Sequence, residues 1–141
     1  MKGGLARGLK PRFSLSSNSE TPWAIVTFDV EMDAPPYMDS WRGVDEGLPA
    51  LLEMLEEKGV KATFFTLGLL AVKKPSAIKA VLDRGHEIGS HGLDHRRLDK
   101  LPLGEATRNI WLSLKLLREY YDVVSFRAPN LKLPLSLIPA L

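Results

Sequence analysis

The sequence contains no cysteine, only three histidines, and no apolar run long enough to cross a bilayer. Without thiols there is no disulfide framework, no thiolate zinc site and no cysteine nucleophile. The longest apolar stretch, residues 64–72, is interrupted by Thr66 and Gly68 and falls well short of the ~20 residues a membrane helix needs. No membrane span is expected. The basic start, as far as Arg12, is followed by Ser14, Ser16 and Ser17 rather than by the apolar core of a signal peptide, which favours the cytoplasm as the compartment.

An excess of charge of one sign is also missing. The formal net charge is +2, from 19 Lys and Arg against 17 Asp and Glu. Lys2, Arg7, Lys10 and Arg12 all precede the first acid, Glu20, and these four exceed the whole net excess. The body therefore carries no basic field, and no interleaving of basic and aromatic residues accompanies the tail. No nucleic-acid partner is expected.

The 141 residues are 45% hydrophobic, enough to build the core of one domain. A complete eight-unit (β/α) barrel takes about 250 residues and does not fit; a fragment of one does. Residues 1–20, basic and then serine-rich, suit a flexible tail, leaving residues 21–141 as the folded domain. The run at residues 23–28 predicts a strand, ended by the Pro35-Pro36 loop. Leu48, Leu51, Leu52 and Leu55 repeat at helical spacing, with Gly59 placed to stop that helix. Residues 60–66 predict the second strand, followed by a turn near Gly68. A helix starting at Pro75 carries Ile78, Val81 and Leu82 and is closed by Gly85. A short third strand at 86–90, a polar turn at 91–99, a helix at 101–119 and a strand at 122–126 complete the pattern. Alternating strands and helices define a parallel α/β domain.

The last eleven residues include Leu131, Leu133, Leu135, Leu137, Ile138 and Leu141. So apolar a segment is expected to pack under the sheet, to meet a partner such as a second copy in a homo-oligomer, or to mark a domain that is C-terminally incomplete.

In parallel α/β domains, functional groups gather beyond the C-terminal ends of the strands. Asp29 and Glu31 end the first predicted strand, His91 and His95 follow the third, and Arg127 ends the fourth. Two imidazoles four residues apart plus a carboxylate make the N,N,O ligand set of a catalytic divalent metal with open positions. A second carboxylate could take a proton from water and the arginine could hold it in place, which is metal-assisted hydrolysis in outline. Asp33 competes with Glu31 for the ligand role. The plainer readings are surface histidines, an arginine paired with a local acid, and carboxylates that cap a helix. His86, at the start of its strand, reads as structural.

Thr27-Phe28-Asp29-Val30-Glu31 resembles the first motif of the polysaccharide deacetylase (NodB-homology) family. Gly85-His86-Glu87-Ile88-Gly89-Ser90-His91-Gly92-Leu93-Asp94-His95 resembles its second motif, and Phe126-Arg127-Ala128-Pro129 its third. Lys61-Ala62-Thr63-Phe64-Phe65 is similar to the family's second-strand segment.

The resemblance implies a partial, distorted (β/α) barrel of about four to five βα units. It implies metal-dependent hydrolysis of an amide C–N bond, in the first place deacetylation of an N-acetylated polysaccharide, with other amides as alternative substrates. Asp29 would be the general base and Arg127 its orienting partner. His91 and His95 would be metal ligands. The family's second aspartate, which normally follows the base, is replaced by Val30, so Glu31 would complete the ligand set. The metal would be zinc, with cobalt, nickel or manganese as alternatives. The family's amine-protonating histidine lies beyond the third motif, whereas the last histidine here is His95. The alternative expectation is therefore a catalytically inactive partial domain that serves as a carbohydrate-contact or association module.

Overall fold

Three parallel strands form the centre of the computed structural model, which describes residues 23–33, 38 and 40–141. The tail expected over residues 1–20 and the Pro35-Pro36 loop lie outside the described residues. Strands β1 (Thr27–Val30), β2 (Thr63–Thr66) and β3 (Glu87–Ser90) lie side by side in that order. Thr27 stands opposite Thr63, which stands opposite Glu87; Val30, Thr66 and Ser90 are aligned in the same way. β1 begins later than its composition predicts. Trp23 and Ile25 have strand-forming side chains, but pairing starts at Thr27, and these two remain 71% and 87% exposed.

Helices connect and cover the strands. A π-helical turn, Gly43–Gly47, runs directly into α1 (Leu48–Glu57). The four-residue α2 (Leu70–Lys73), which the sequence presents only as a turn near Gly68, leads into α3 (Pro75–Asp83). α4 (Leu103–Leu117) follows a 3-10 turn at Leu98–Lys100. Gly59 and Gly85 end α1 and α3 with φ of 63° and 71°, the left-handed conformation that glycine adopts without a Cβ clash.

Side chains alternate across each strand. One face carries Phe28, Val30, Phe64 and Ile88, which pack with Leu52 of α1, Ile78 and Val81 of α3, and Ile110 and Leu117 of α4. The rings of Phe28 and Phe64 stack with centroids 5.3 Å apart. A buried side chain of this size contributes about 1.5–3 kcal/mol of transfer free energy, so this face holds the helices on the sheet. The opposite face carries Thr27, Asp29, Phe65, Glu87 and Gly89, and it leads to the functional residues.

The strand expected at residues 122–126 is reduced to a single bridge, Ser90 with Phe126. The Ser90 amide donates to the Ser125 carbonyl and the Arg127 amide donates to the Ser90 carbonyl, both at 2.9 Å. Upstream, the carbonyl of Val123 accepts instead from the Arg118 guanidinium at 3.2 Å, and the Val123 side chain is buried in the helix-side core. That competing anchor draws the segment off the ladder. The partial α/β fold is as expected, with three strands and one bridged segment in place of four to five full units.

The apolar C-terminus lies against α4 rather than under the sheet. Its 3-10 turn, Leu135–Ala140, packs on that helix. Leu137 is buried and Leu133 half-buried, while Leu131, Leu135, Ile138 and Leu141 are exposed. Among the described residues, no helix is long and apolar enough to cross a membrane.

Candidate metal centre

Parallel pairing brings the C-terminal ends of the three strands to one edge of the sheet, and the residues just beyond them converge there. Glu31 follows β1, His91 follows β3, and His95 lies four residues further on. Each offers one ligand atom, and the three atoms lie within 4.8 Å of one another. Glu31 Oε2 is 2.6 Å from His95 Nε2 and 3.6 Å from His91 Nε2. His91 is buried, while Glu31 and His95 are half-buried.

The protonation pattern follows from the partners. Nδ1 of His91 is 2.8 Å from the Arg127 carbonyl oxygen, which can only accept, so Nδ1 carries the hydrogen. In a neutral imidazole this leaves Nε2 with a lone pair, aimed at the carboxylate of Glu31. Two electron-rich atoms then face each other. Among the described residues Glu31 Oε2 is buried without a hydrogen-bond partner, although it lies 2.6 Å from His95 Nε2. A buried, unpartnered carboxylate oxygen is costly unless a cation satisfies it. The donor set therefore fits a divalent ion held by Glu31, His91 and His95.

The base-like carboxylate lies next to this cluster. Asp29 Oδ1 accepts from Nη1 of Arg127 at 2.7 Å, and its Oδ2 is 3.9 Å from His91 Nε2. Nη2 of Arg127 also donates to the Thr27 hydroxyl at 2.7 Å, and the guanidinium carbon sits 4.1 Å from the centroid of the Phe65 ring. Two residues of β1 and an aromatic face of β2 thus fix the arginine, and it in turn fixes the carboxylate. Asp29 and Glu31 point to the site while Val30 between them is buried on the opposite face, as strand alternation requires.

Asp33 does not join the cluster. Its carboxylate accepts from the Ser40 hydroxyl at 2.6 Å and from the amides of Arg42 and Gly43 at 2.7 and 2.9 Å. The Ser40 bond and then the Gly43 amide hold its carboxyl below the ordinary range. It therefore anchors the turn that opens α1 and stands outside the Glu31, His91 and His95 group. His86 is buried at the other end of the strands, where its Nδ1 accepts from the Ala62 amide at 3.3 Å. The patterning did not single out Thr27 and Phe65, which hold Arg127, nor Asp94, Asn109 and Ser113 beside the histidine loop. The available signal was that Asn109 and Ser113 are polar residues within the apolar stripe of α4.

The polysaccharide deacetylase family profile matches residues 17–139, and the chain belongs to that family. Over 86 residues it is 34% identical to the peptidoglycan-N-acetylglucosamine deacetylase of Listeria monocytogenes, a match covering 61% of this chain and 18% of that protein. Chitin deacetylase 1 of Cryptococcus neoformans is 29% identical over 83 residues, covering 57% of this chain and 18% of that protein. Among solved structures, the Bc1960 peptidoglycan N-acetylglucosamine deacetylase superposes with a TM-score of 0.69 at 29% identity, over 82% of this chain and 50% of that one. The Bacillus anthracis pseudoenzyme BA3943, at 21% identity and a TM-score of 0.68, shares the fold. The chain thus spans about a fifth of the curated relatives and half of the solved one.

Proposed function

We propose that this chain carries the metal-binding and base-bearing half of an active site that deacetylates an N-acetylated glycan. The observation that carries the reading is the convergence of Glu31, His91 and His95 beside the Arg127–Asp29 pair. Glu31, His91 and His95 would hold the divalent cation, and two imidazoles with one carboxylate suit zinc, with cobalt, nickel and manganese following. When bound, such an ion supplies Lewis acidity toward the acyl oxygen and makes a neighbouring water easier to deprotonate.

The chain's own side chains do the remaining work. Asp29 takes the proton of the attacking water on Oδ2, since Oδ1 is occupied by Arg127. Arg127 keeps that carboxylate oriented and balances its charge. The His91–Arg127 hydrogen bond holds one ligand nitrogen in the correct tautomer. The departing amine also needs a proton. His91 and His95 are committed to the cluster, and His86 is buried at the far end of the strands. Acetate release by these 141 residues alone is therefore expected to fall below about 1 s⁻¹, the lower end of ordinary enzyme rates.

The test combines zinc titration of the metal-free protein with acetate release from N-acetylglucosamine oligomers. A His91→Ala, His95→Ala double variant should lose the tight zinc phase. Asp29→Asn should keep zinc and lose about 10²–10⁴-fold in release. Equal zinc binding by parent and double variant overturns the site. Zinc binding with no release, and with glycan binding intact, favours the carbohydrate-contact or association module instead.

A further inference from the structure

The buried face of α4 is apolar at Ala106, Ile110, Leu114 and Leu117, yet it also buries Asn109, 2% exposed, and Ser113, 0% exposed. A buried amide or hydroxyl is tolerated when its hydrogen-bonding groups are used. Among the described residues, the hydrogen-bond partners of these two side chains lie on residues 90–94. The Asn109 Oδ1 accepts from the Leu93 amide at 2.8 Å, and its Nδ2 donates to Asp94 Oδ1 at 2.7 Å. The Ser113 hydroxyl donates to the Gly92 carbonyl at 2.8 Å and sits 2.9 Å from the Ser90 hydroxyl. Beyond the loop, Arg96 Nε reaches Asp94 Oδ2 at 2.9 Å. The orientation of the Asn109 amide is fixed by its neighbours: an N–H demands the oxygen and a carboxylate demands the nitrogen.

His95 stands next to this grip with a φ of 62°, a left-handed backbone that is uncommon for residues with side chains, although histidine enters it more readily than most. That conformation brings Nε2 to 2.6 Å from Glu31 Oε2. We infer that Asn109 and Asp94 form the positioning pair of the metal centre: α4 holds the loop between the two histidines so that His95 presents its nitrogen to the ion. The inference rests on the metal-site reading above. Neither residue touches the ion; Asn109 acts through Asp94 and the Leu93 amide, and its effect is on ligand geometry.

The test exchanges donor and acceptor. Asn109→Asp keeps the acceptor for Leu93 but sets a carboxylate against that of Asp94. Adding Asp94→Asn restores the bond with the roles reversed. Zinc affinity, the visible absorption of the cobalt-substituted protein and the thermal midpoint are read for each. The parent is expected to bind zinc, and Asn109→Asp to bind about 10- to 100-fold more weakly with shifted cobalt bands. The double variant should regain the parental affinity and spectrum. If Asn109→Asp does not fold, Asp94→Ala on the half-exposed loop carries the test, with the same loss expected. Unchanged zinc affinity and cobalt bands in the folded single variant, beside a parent that binds, overturn the positioning role alone. A parent that binds no zinc overturns the metal-site reading and this inference with it.

Discussion

The carbonyl oxygen of Arg127 accepts a 2.8 Å hydrogen bond from Nδ1 of His91, while the guanidinium of the same residue donates at 2.7 Å to Asp29. One residue thus serves both parts of the proposed site, its backbone holding the His91 imidazole and its side chain the Asp29 carboxylate. Side-chain substitution separates the two. Arg127→Lys leaves the carbonyl in place but removes the planar fork that reaches Asp29 and Thr27 together, and with it the stacking on Phe65. Zinc affinity should match the parent while acetate release falls about 10²-fold, as expected for a misplaced catalytic group. A parallel loss of zinc affinity, measured by calorimetry, would contradict this division.

Gly89 matters for its missing side chain. A Cβ there would meet Phe65 Cδ1 and the Ser125 hydroxyl, each at 2.6 Å. Gly89→Ala is therefore expected to cost about 1–3 kcal/mol in urea unfolding, the range for an overfilled core. Because Phe65 supports the Arg127 guanidinium, release should also drop while zinc binding persists. A variant as stable and as active as the parent would show that Phe65 and Ser125 have room to yield.

His86 predicts a pH dependence. Burial, then the cations of Lys61 and Arg84, push its pKa below the ordinary histidine value of 6.5, with Glu56 opposing weakly. The unfolded chain therefore takes up a proton near pH 6.5 that the folded chain still refuses. Stability contributed by neutral His86 is fully present above that pH and is lost as pH falls from 6.5 through the depressed native value. His86→Gln should flatten this part of the profile. Urea midpoints recorded from pH 8 down to pH 5 check it, and identical slopes for parent and variant would refute the assignment.

The C-terminal turn gives a paired comparison. Leu137 is 1% exposed and Leu135 82%. Leu137→Ala should cost about 2–5 kcal/mol, as other buried leucine truncations do. Leu135→Ala should fall within about 0.5 kcal/mol of the parent. Equal costs, read from thermal or urea unfolding, would mean that the turn is held by something other than Leu137.

The residues at the strand ends were legible in the sequence because strand alternation and motif order act over a few positions. Asp29, Glu31, His91, His95 and Arg127 all arrive at one edge of the sheet. What could not be read locally depends on distant competitors. Residues 122–126 have strand composition, but Arg118 claims the Val123 carbonyl. Asp33 looks as good a ligand as Glu31 until Ser40 and the amides of Arg42 and Gly43 close around it. Likewise, Trp23 and Ile25 have strand propensity, but among the described residues pairing begins only at Thr27 and both stay exposed.

The left-handed backbone at His95 also limits which ligands that position can acquire by mutation. Histidine, asparagine and aspartate enter this region most readily among residues with side chains, whereas β-branched residues are nearly excluded from it. Two of those three can bind metals as an imidazole or a carboxylate. The exchange most accessible there replaces a nitrogen donor with an oxygen donor, which moves a site's preference from zinc toward harder cations such as manganese or magnesium. A drift in metal use would thus be conformationally open at position 95, where the local chain geometry, and not the metal, decides which donors can be tried.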